Sequence, residues 1–135
     1  MKVPEHDRRN RYRAPMGTTV SWSTDRSLWY VDSARDVSTM GILLMDRRPI
    51  TLGSIVTLMF NLPNSGERPP VVTESTVVRV VSRYGRLRGH GLCFDLLTEY
   101  DYEIIQNYVF RILGLSKDQV TGAGLAGNIC RKFEH

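Results

Sequence analysis

The sequence has 135 residues and a mass of 15.4 kDa, which is enough for one compact domain and too little for two. Its 41% hydrophobic and 24% charged residues exclude wholesale disorder and a collagen-like repeat. The longest apolar run, Gly41–Met45, is far shorter than the roughly 20 residues of a membrane span, and the polar start lacks the apolar stretch of a signal peptide. We therefore predict a cytoplasmic protein with no membrane span.

Most of the net charge of +4 lies near the N-terminus. The first thirteen residues carry five basic and two acidic side chains, and the remaining 122 residues are close to neutral. Fifteen of the eighteen basic residues are arginine, whose planar guanidinium binds phosphate through two hydrogen bonds and stacks on flat rings. We predict that residues 1–13 form a flexible basic arm for an anionic partner; a solvated tail without a partner is the alternative.

A series of short β-type segments follows the arm. Each is rich in β-branched, aromatic or alternating apolar residues, and turns of polar residues, glycine or proline separate them. The predicted strands are 18–22, 28–31, 41–45, 55–62, 71–82 and 91–94. Six strands at this spacing indicate a mainly β fold, a small antiparallel barrel or sandwich.

One helix follows the strands. Thr98 is a good N-cap residue, acidic residues occupy the first turn, and Gly114 supplies the stop. Apolar residues recur at helical spacing from Tyr102 to Leu113 and predict a face packed on the barrel. We predict a folded domain over residues 14–115 and a flexible or loosely docked tail over residues 116–135, which lack a clear period.

Signatures of an enzyme or a metal site are absent from the sequence. It has no Gly-x-Ser-x-Gly elbow, no Walker lysine loop and no His-Glu-x-x-His. Its three histidines are scattered, and its two cysteines, 37 residues apart, lack the spacing of a zinc site or a disulfide framework. We predict no catalytic residue, no metal ligand and no cofactor, and we expect Cys93 to be a buried thiol.

Two short motifs remain as candidates for a binding site. The first is Arg9-x-x-x-Arg13 with Arg8 directly before it, and the second is Asp36-x-Ser38-x-x-Gly41 between the second and third predicted strands. Each is weak alone, because arginine is common in this chain and Asp-x-Ser followed by glycine is ordinary turn chemistry.

Together and in this order, the two motifs resemble those of the PilZ domain, a bacterial receptor for the second messenger cyclic di-GMP. The resemblance extends over roughly Arg8 to Leu113. It implies a six-stranded antiparallel β-barrel with one C-terminal α-helix, and a regulatory binding domain rather than an enzyme. The fold it implies agrees with the one that the strand pattern predicts.

The resemblance assigns roles that fit the chemistry of the ligand, which has two phosphodiester charges and two guanines. Arg9 and Arg13 would contact phosphate and stack on guanine. Asp36 would accept hydrogen bonds from the donor edge of guanine, and Ser38 would donate its hydroxyl to a phosphate or base. Gly41 would allow ligand and backbone to approach closely.

Arg8 would add charge and a stacking plane that favour an intercalated ligand dimer, so we predict two cyclic di-GMP molecules per chain. Bound ligand would neutralise the arm and order it against the barrel. Because the chain has no second domain, we expect the output to pass through a downstream protein partner, in control of motility, biofilm or exopolysaccharide.

Two other functions are compatible with the sequence. The first is a PilZ-like adaptor that binds protein partners without nucleotide. The second is a small nucleic-acid-binding barrel, in which Trp22, Trp29 and Tyr84 would stack on bases beside the basic arm. The near-neutral body argues against the second, because it offers no broad electrostatic track for a nucleic-acid backbone.

Overall fold

The computed structural model describes residues 12–115, which form seven β-strands and one α-helix. The strands are β1 (Ala14–Pro15), β2 (Thr19–Ser23), β3 (Tyr30–Val37), β4 (Gly41–Met45), β5 (Ile55–Phe60), β6 (Val71–Arg83) and β7 (Arg86–Phe94). The helix, α1, spans Glu99–Leu113. Residues 1–11 of the arm predicted over residues 1–13, and the tail predicted over residues 116–135, lie outside the described residues.

Six of the strands close into an antiparallel barrel. The order of pairing is β3, β2, β5, β6, β7, β4 and back to β3. The two-residue β1 is an extra strand that pairs with the end of β3, where Ala14 lies opposite Val37 and Pro15 opposite Asp36. The predicted mainly β fold, a six-stranded antiparallel barrel with one C-terminal helix, is confirmed.

The helix begins and ends where its capping residues predict. The Thr98 hydroxyl accepts a hydrogen bond from the Asp101 amide at 3.1 Å, and Gly114 adopts the left-handed conformation, with φ of 70°, that ends many helices. The buried face consists of Tyr102, Ile105, Tyr108, Val109 and Phe110, which join the barrel interior in one hydrophobic cluster. The Tyr108 hydroxyl donates to the Pro15 carbonyl at 2.6 Å, which fastens α1 to β1.

Two strands are longer than their sequence pattern predicts. Strand β3 continues to Val37 through polar residues, because β1, β2 and β4 supply its backbone partners. Strand β7 starts at Arg86 instead of residue 91, because Tyr84 and Gly85, with φ of 53° and 72°, form a two-residue turn with both φ angles positive. That turn brings Arg86 directly opposite Arg83.

Cys93 is buried, as expected, with 5% of its surface exposed. It is disulfide-bonded, so the prediction of a thiol is wrong. No helix within residues 12–115 is long and apolar enough to cross a membrane.

Candidate functional site

A β-bulge in β3 aims the motif aspartate out of the barrel. Ala34 and Val37 both face the core and are fully buried, although side chains three residues apart in a regular strand point to opposite faces. The register shifts between Ala34 and Asp36, so Arg35 is the extra residue. A bulge of this kind redirects the side chains that follow it. It leaves Asp36 outside the barrel, with 17% of its side chain exposed.

The motif serine organises the tight turn between β3 and β4. Its hydroxyl oxygen accepts hydrogen bonds from the amides of Met40 at 3.0 Å and Gly41 at 3.3 Å. Its own amide donates to the Gly41 carbonyl at 2.9 Å. Ser38 is fully buried, and its hydroxyl oxygen and amide hold the turn that is predicted for this motif. The motif, predicted to lie between strands, begins inside β3 and ends on the first residue of β4.

The short strand β1 carries Arg13 to the second motif. The Arg13 Nε donates to Asp36 Oδ1 at 2.7 Å, Nη1 donates to the Ser38 hydroxyl at 3.3 Å, and a longer contact of 3.5 Å joins Nη2 to the Gly41 carbonyl. A single guanidinium therefore contacts all three residues of the second motif. One third of the Arg13 side chain is exposed, so this cluster lies at the protein surface.

Gly41 is required by the packing of β4 against β7. A Cβ added at Gly41 would lie 1.9 Å from the Leu92 carbonyl oxygen and 3.1 Å from the Cys93 Cα. Both are backbone atoms, which cannot rotate away as a side chain can. The sequence predicts that this glycine serves the approach of a ligand, whereas the structure gives a tertiary reason, the close approach of a neighbouring strand.

The structure thus brings together four of the six predicted site residues, namely Arg13, Asp36, Ser38 and Gly41. Arg8 and Arg9 lie outside the described residues. Sequence reasoning missed Arg35, whose Nε donates to the second Asp36 oxygen at 3.4 Å. Its place directly before the motif aspartate was the available signal, but alternation predicts no side-by-side contact between neighbouring residues of a regular strand.

A second polar pair is buried inside the barrel and was not predicted. His90 and Asp46 are almost wholly inaccessible, and His90 Nδ1 lies 2.8 Å from Asp46 Oδ1. The Ile50 amide donates to His90 Nε2 at 3.3 Å, which leaves Nδ1 as the ring nitrogen that can donate to Asp46. Burial raises the pKa of Asp46, and the hydrogen bond from His90 opposes that rise. The pair joins β7 to the segment after β4, and its members are 44 residues apart, so no local pattern identifies it.

An open groove of about 460 Å³ lies between the start of β2 and the segment that follows β5. Its lining includes Thr18, Ser21, Asn61 and Asn64, and none of the motif residues. The groove is therefore separate from the cluster around Arg13.

The aromatic surface invoked for nucleic-acid binding does not include Trp22. Only 2% of Trp22 is exposed, and its indole N–H donates to Asp32 Oδ2 at 2.8 Å. Trp29 and Tyr84 are exposed to 37% and 87%. The prediction that Trp22 offers a stacking surface is wrong, because its ring belongs to the hydrophobic core.

Three solved structures share this fold. The Bacillus subtilis inhibitor of motility (MotI/DgrA) superposes with a TM-score of 0.65 at 19% identity, over 73% of this chain and 48% of that one. The PilZ domain with c-di-GMP of YcgR from Escherichia coli superposes with a TM-score of 0.56 at 11% identity, over 82% of this chain and 95% of that one. MrkH of K. pneumonia in its apo state superposes with a TM-score of 0.57 at 14% identity, over 88% of this chain and 55% of that one. This chain thus spans about half the length of the first.

No curated protein is significantly similar to this chain. The model of the PilZ domain family matches residues 7–111. That range includes both motifs, the whole barrel and most of α1. The match covers most of the sequence, and the barrel agrees with it. The chain therefore belongs to the PilZ domain family.

Proposed function

We propose that this protein is a receptor for cyclic di-GMP, which binds at the cluster around Arg13. Family membership supports a role as a cyclic di-GMP receptor or adaptor in general terms. The observation that carries the proposal is the convergence of the two motifs, because Arg13 contacts Asp36, Ser38 and Gly41. The chain shares its fold with a family of regulatory binding domains, and the cluster around Arg13 lies at the surface. Both observations fit a binding function better than a catalytic one.

The proposed contacts follow from the atoms that the cluster presents. Arg9 and Arg13 bind phosphate and stack on guanine. Asp36, with two carboxylate oxygens, accepts from the N1–H and N2–H₂ donors of guanine. The Ser38 oxygen already accepts three hydrogen bonds, so we assign its hydroxyl hydrogen to the ligand. Gly41 keeps β4 close enough to β7 for the turn to hold this geometry.

Isothermal titration calorimetry with cyclic di-GMP tests the proposal. We expect binding by the intact chain, with GTP and a short single-stranded DNA failing to compete. Arg13→Ala, Arg9→Ala and Asp36→Ala each remove a charge-assisted contact worth about 1.5–3 kcal/mol, so the affinity should fall by about 10-fold to 150-fold. Arg68→Ala and Glu67→Ala, on the exposed loop between β5 and β6, are the matched controls and should bind as the original chain does. Equal binding by all variants, or no binding by folded protein, would contradict the proposal, and the second result would favour the nucleotide-free adaptor.

Native mass spectrometry of the ligand-bound chain tests the predicted stoichiometry. Arg8 extends the cluster of arginines and provides a further stacking plane, so we propose that an intercalated pair of ligand molecules binds to each chain. Two molecules per chain in native mass spectrometry would support this, and one molecule in the presence of Arg8 would refute it.

We also propose that ligand binding changes how residues 5–14 meet the barrel. Neutralising four arginines within six residues removes their mutual repulsion, and a bound phosphate can bridge them to the cluster. Amide hydrogen exchange across residues 5–14 should slow on adding ligand, and unchanged exchange would contradict the idea. The altered surface would then bind or release a protein partner. Motility is the first process to test, because one structural neighbour is an inhibitor of motility.

A further inference from the structure

Two consecutive segments of the domain carry opposite charges. Residues 75–94 contain no acidic side chain and four arginines, namely Arg79, Arg83, Arg86 and Arg88. Residues 95–110 contain no lysine or arginine and four acidic side chains, namely Asp95, Glu99, Asp101 and Glu103. None of these eight side chains forms a salt bridge with another residue of the range 12–115. A body that is nearly neutral as a whole therefore carries two regions of opposite charge.

The basic segment forms a ribbon that extends past the barrel. Strand β5 pairs with β6 only as far as Thr76, and β4 pairs with β7 only as far as His90. In the part of the chain that the structure describes, residues 81–88 of the two strands pair only with each other. Tyr84, in the turn of this ribbon, is 87% exposed. We refer to residues 81–88 as the hairpin tip.

The acidic segment begins at the other end of the same ribbon. Ser75 of β6 pairs with Phe94 of β7, and Arg83 at the hairpin tip lies eight residues, or about 25 Å, along β6 from Ser75. Helix α1 starts at Glu99, soon after Phe94. The charges of the hairpin tip and those at the start of α1 are therefore too far apart to pair within one chain.

The closest charges in each region form a pair that repels itself. Arg83 lies directly opposite Arg86, so both side chains leave the same face of the hairpin with Cβ atoms about 5 Å apart. Glu99 and Glu103 are both exposed and lie four residues apart on α1, which places their Cβ atoms about 5–6 Å apart. The two pairs agree in spacing and differ in sign, so contact between them would relieve the repulsion within each.

We propose that this protein associates head to tail with a second copy of itself. Arg83 and Arg86 of one copy face Glu99 and Glu103 of the next. Exposed apolar side chains lie beside both pairs, namely Tyr84 at the hairpin tip and Leu96 and Tyr100, which are 69% and 60% exposed, beside the glutamates. Aromatic residues and arginine are the types enriched in protein interfaces.

The geometry of this contact sets the form of the assembly. Because the two surfaces differ, each added copy leaves one of them free, and the copies form an open series. A hairpin tip of eight residues buries less than the about 1,200 Å² of a stable interface, so the association is weak and reversible. This inference does not rest on the proposed function.

Sedimentation velocity of the full chain tests the proposal. The weight-average sedimentation coefficient should rise with protein concentration in 0.1 M salt. The dissociation constant should increase tenfold or more in 1 M salt, because the screening length falls from about 10 Å to about 3 Å.

Charge reversal identifies the surfaces. Arg83→Glu/Arg86→Glu and Glu99→Lys/Glu103→Lys should each abolish association alone. An equimolar mixture of the two variants should restore it, since the hairpin tip of each is then complementary to the α1 pair of the other. The matched control Glu67→Lys/Arg68→Glu reverses two exposed charges between β5 and β6 and should associate as the original chain does.

Three results would overturn the proposal. The first is an original chain that stays monomeric at every concentration in 0.1 M salt, and the second is association that neither charge reversal weakens. The third is a mixture of the two variants that stays monomeric although circular dichroism shows both to be folded. If a reversal variant does not fold, Arg83→Gln/Arg86→Gln replaces it, and a dissociation constant unchanged by that substitution would also overturn the proposal.

Discussion

Replacement of Gly41 by alanine should destabilise the fold through steric conflict between two strands. The added Cβ would lie 1.9 Å from the Leu92 carbonyl oxygen and 2.9 Å from the carbonyl carbon. Ordinary contact between such atoms is about 3.5 Å, so the backbone of β7 must move by more than an ångström. Because the obstacle is the main chain of β7, which pairs with β4 on one side and β6 on the other, no rotamer change can relieve it.

The size of the effect follows from what that movement disrupts. Gly41 pairs with Cys93, and Ile42 with Leu92, so about two ladder hydrogen bonds are weakened at about 1 kcal/mol each. Overpacking of the adjoining core adds about 1–3 kcal/mol. We expect a loss of about 3–5 kcal/mol in the free energy of unfolding, which lowers Tm by about 10 °C or more for a domain of this size.

Urea denaturation followed by circular dichroism measures this loss, with Gly66→Ala as the matched control. Gly66 has a φ of 69° and nothing within 4 Å of an added Cβ, so its replacement costs only the backbone strain of about 1 kcal/mol. A Gly41→Ala protein within 1 kcal/mol of the original would refute the packing argument. A stable variant that has lost only ligand binding would show instead that Gly41 serves the ligand.

Three further predictions concern the buried pair, the helix cap and the candidate site. Burial raises the pKa of Asp46, so ionising this carboxyl opposes folding: its contribution to stability is greatest below the unfolded value of 3.8 and is lost as pH rises through the higher folded value. The unfolding free energy of the original chain minus that of Asp46→Asn should therefore fall as pH rises from below 3.8, and a difference that rises with pH would contradict the pKa direction. Thr98→Ala removes the cap on the Asp101 amide and should cost about 1 kcal/mol in the same denaturation assay, while an unchanged midpoint would show that the cap contributes nothing. Arg13→Lys keeps the charge but cannot reach three acceptors with one planar group, so its affinity for cyclic di-GMP should fall by about tenfold or more in calorimetry, and full affinity would show that charge alone suffices.

The sequence was sufficient for features that depend on neighbouring residues. The ends of α1 were predictable because Thr98 and Gly114 act on the backbone within one turn of themselves. Strands such as β4 and β5 were predictable because apolar and β-branched residues stand next to one another in the chain. The two motifs were recognisable for the same reason, since each spans only five or six residues.

Other features depend on residues that meet only in the folded barrel. The polar end of β3 becomes a strand because three other strands supply its hydrogen-bond partners. The bulge at Arg35 that turns Asp36 toward Arg13 depends on pairing with β4, which local propensity does not encode. Trp22 is a core residue because Asp32, ten residues away, accepts its N–H.

The sequence by itself therefore determined the class of fold, the helix and the residue types of the candidate site. The tertiary structure alone decided how those residues meet. Arg13 is joined to Asp36 across 23 residues, and Gly41 is needed because the backbone of Leu92, 51 residues later in the chain, passes within contact distance. Local patterns specify the conformation of a segment, whereas long-range strand pairing and close packing decide which segments become neighbours.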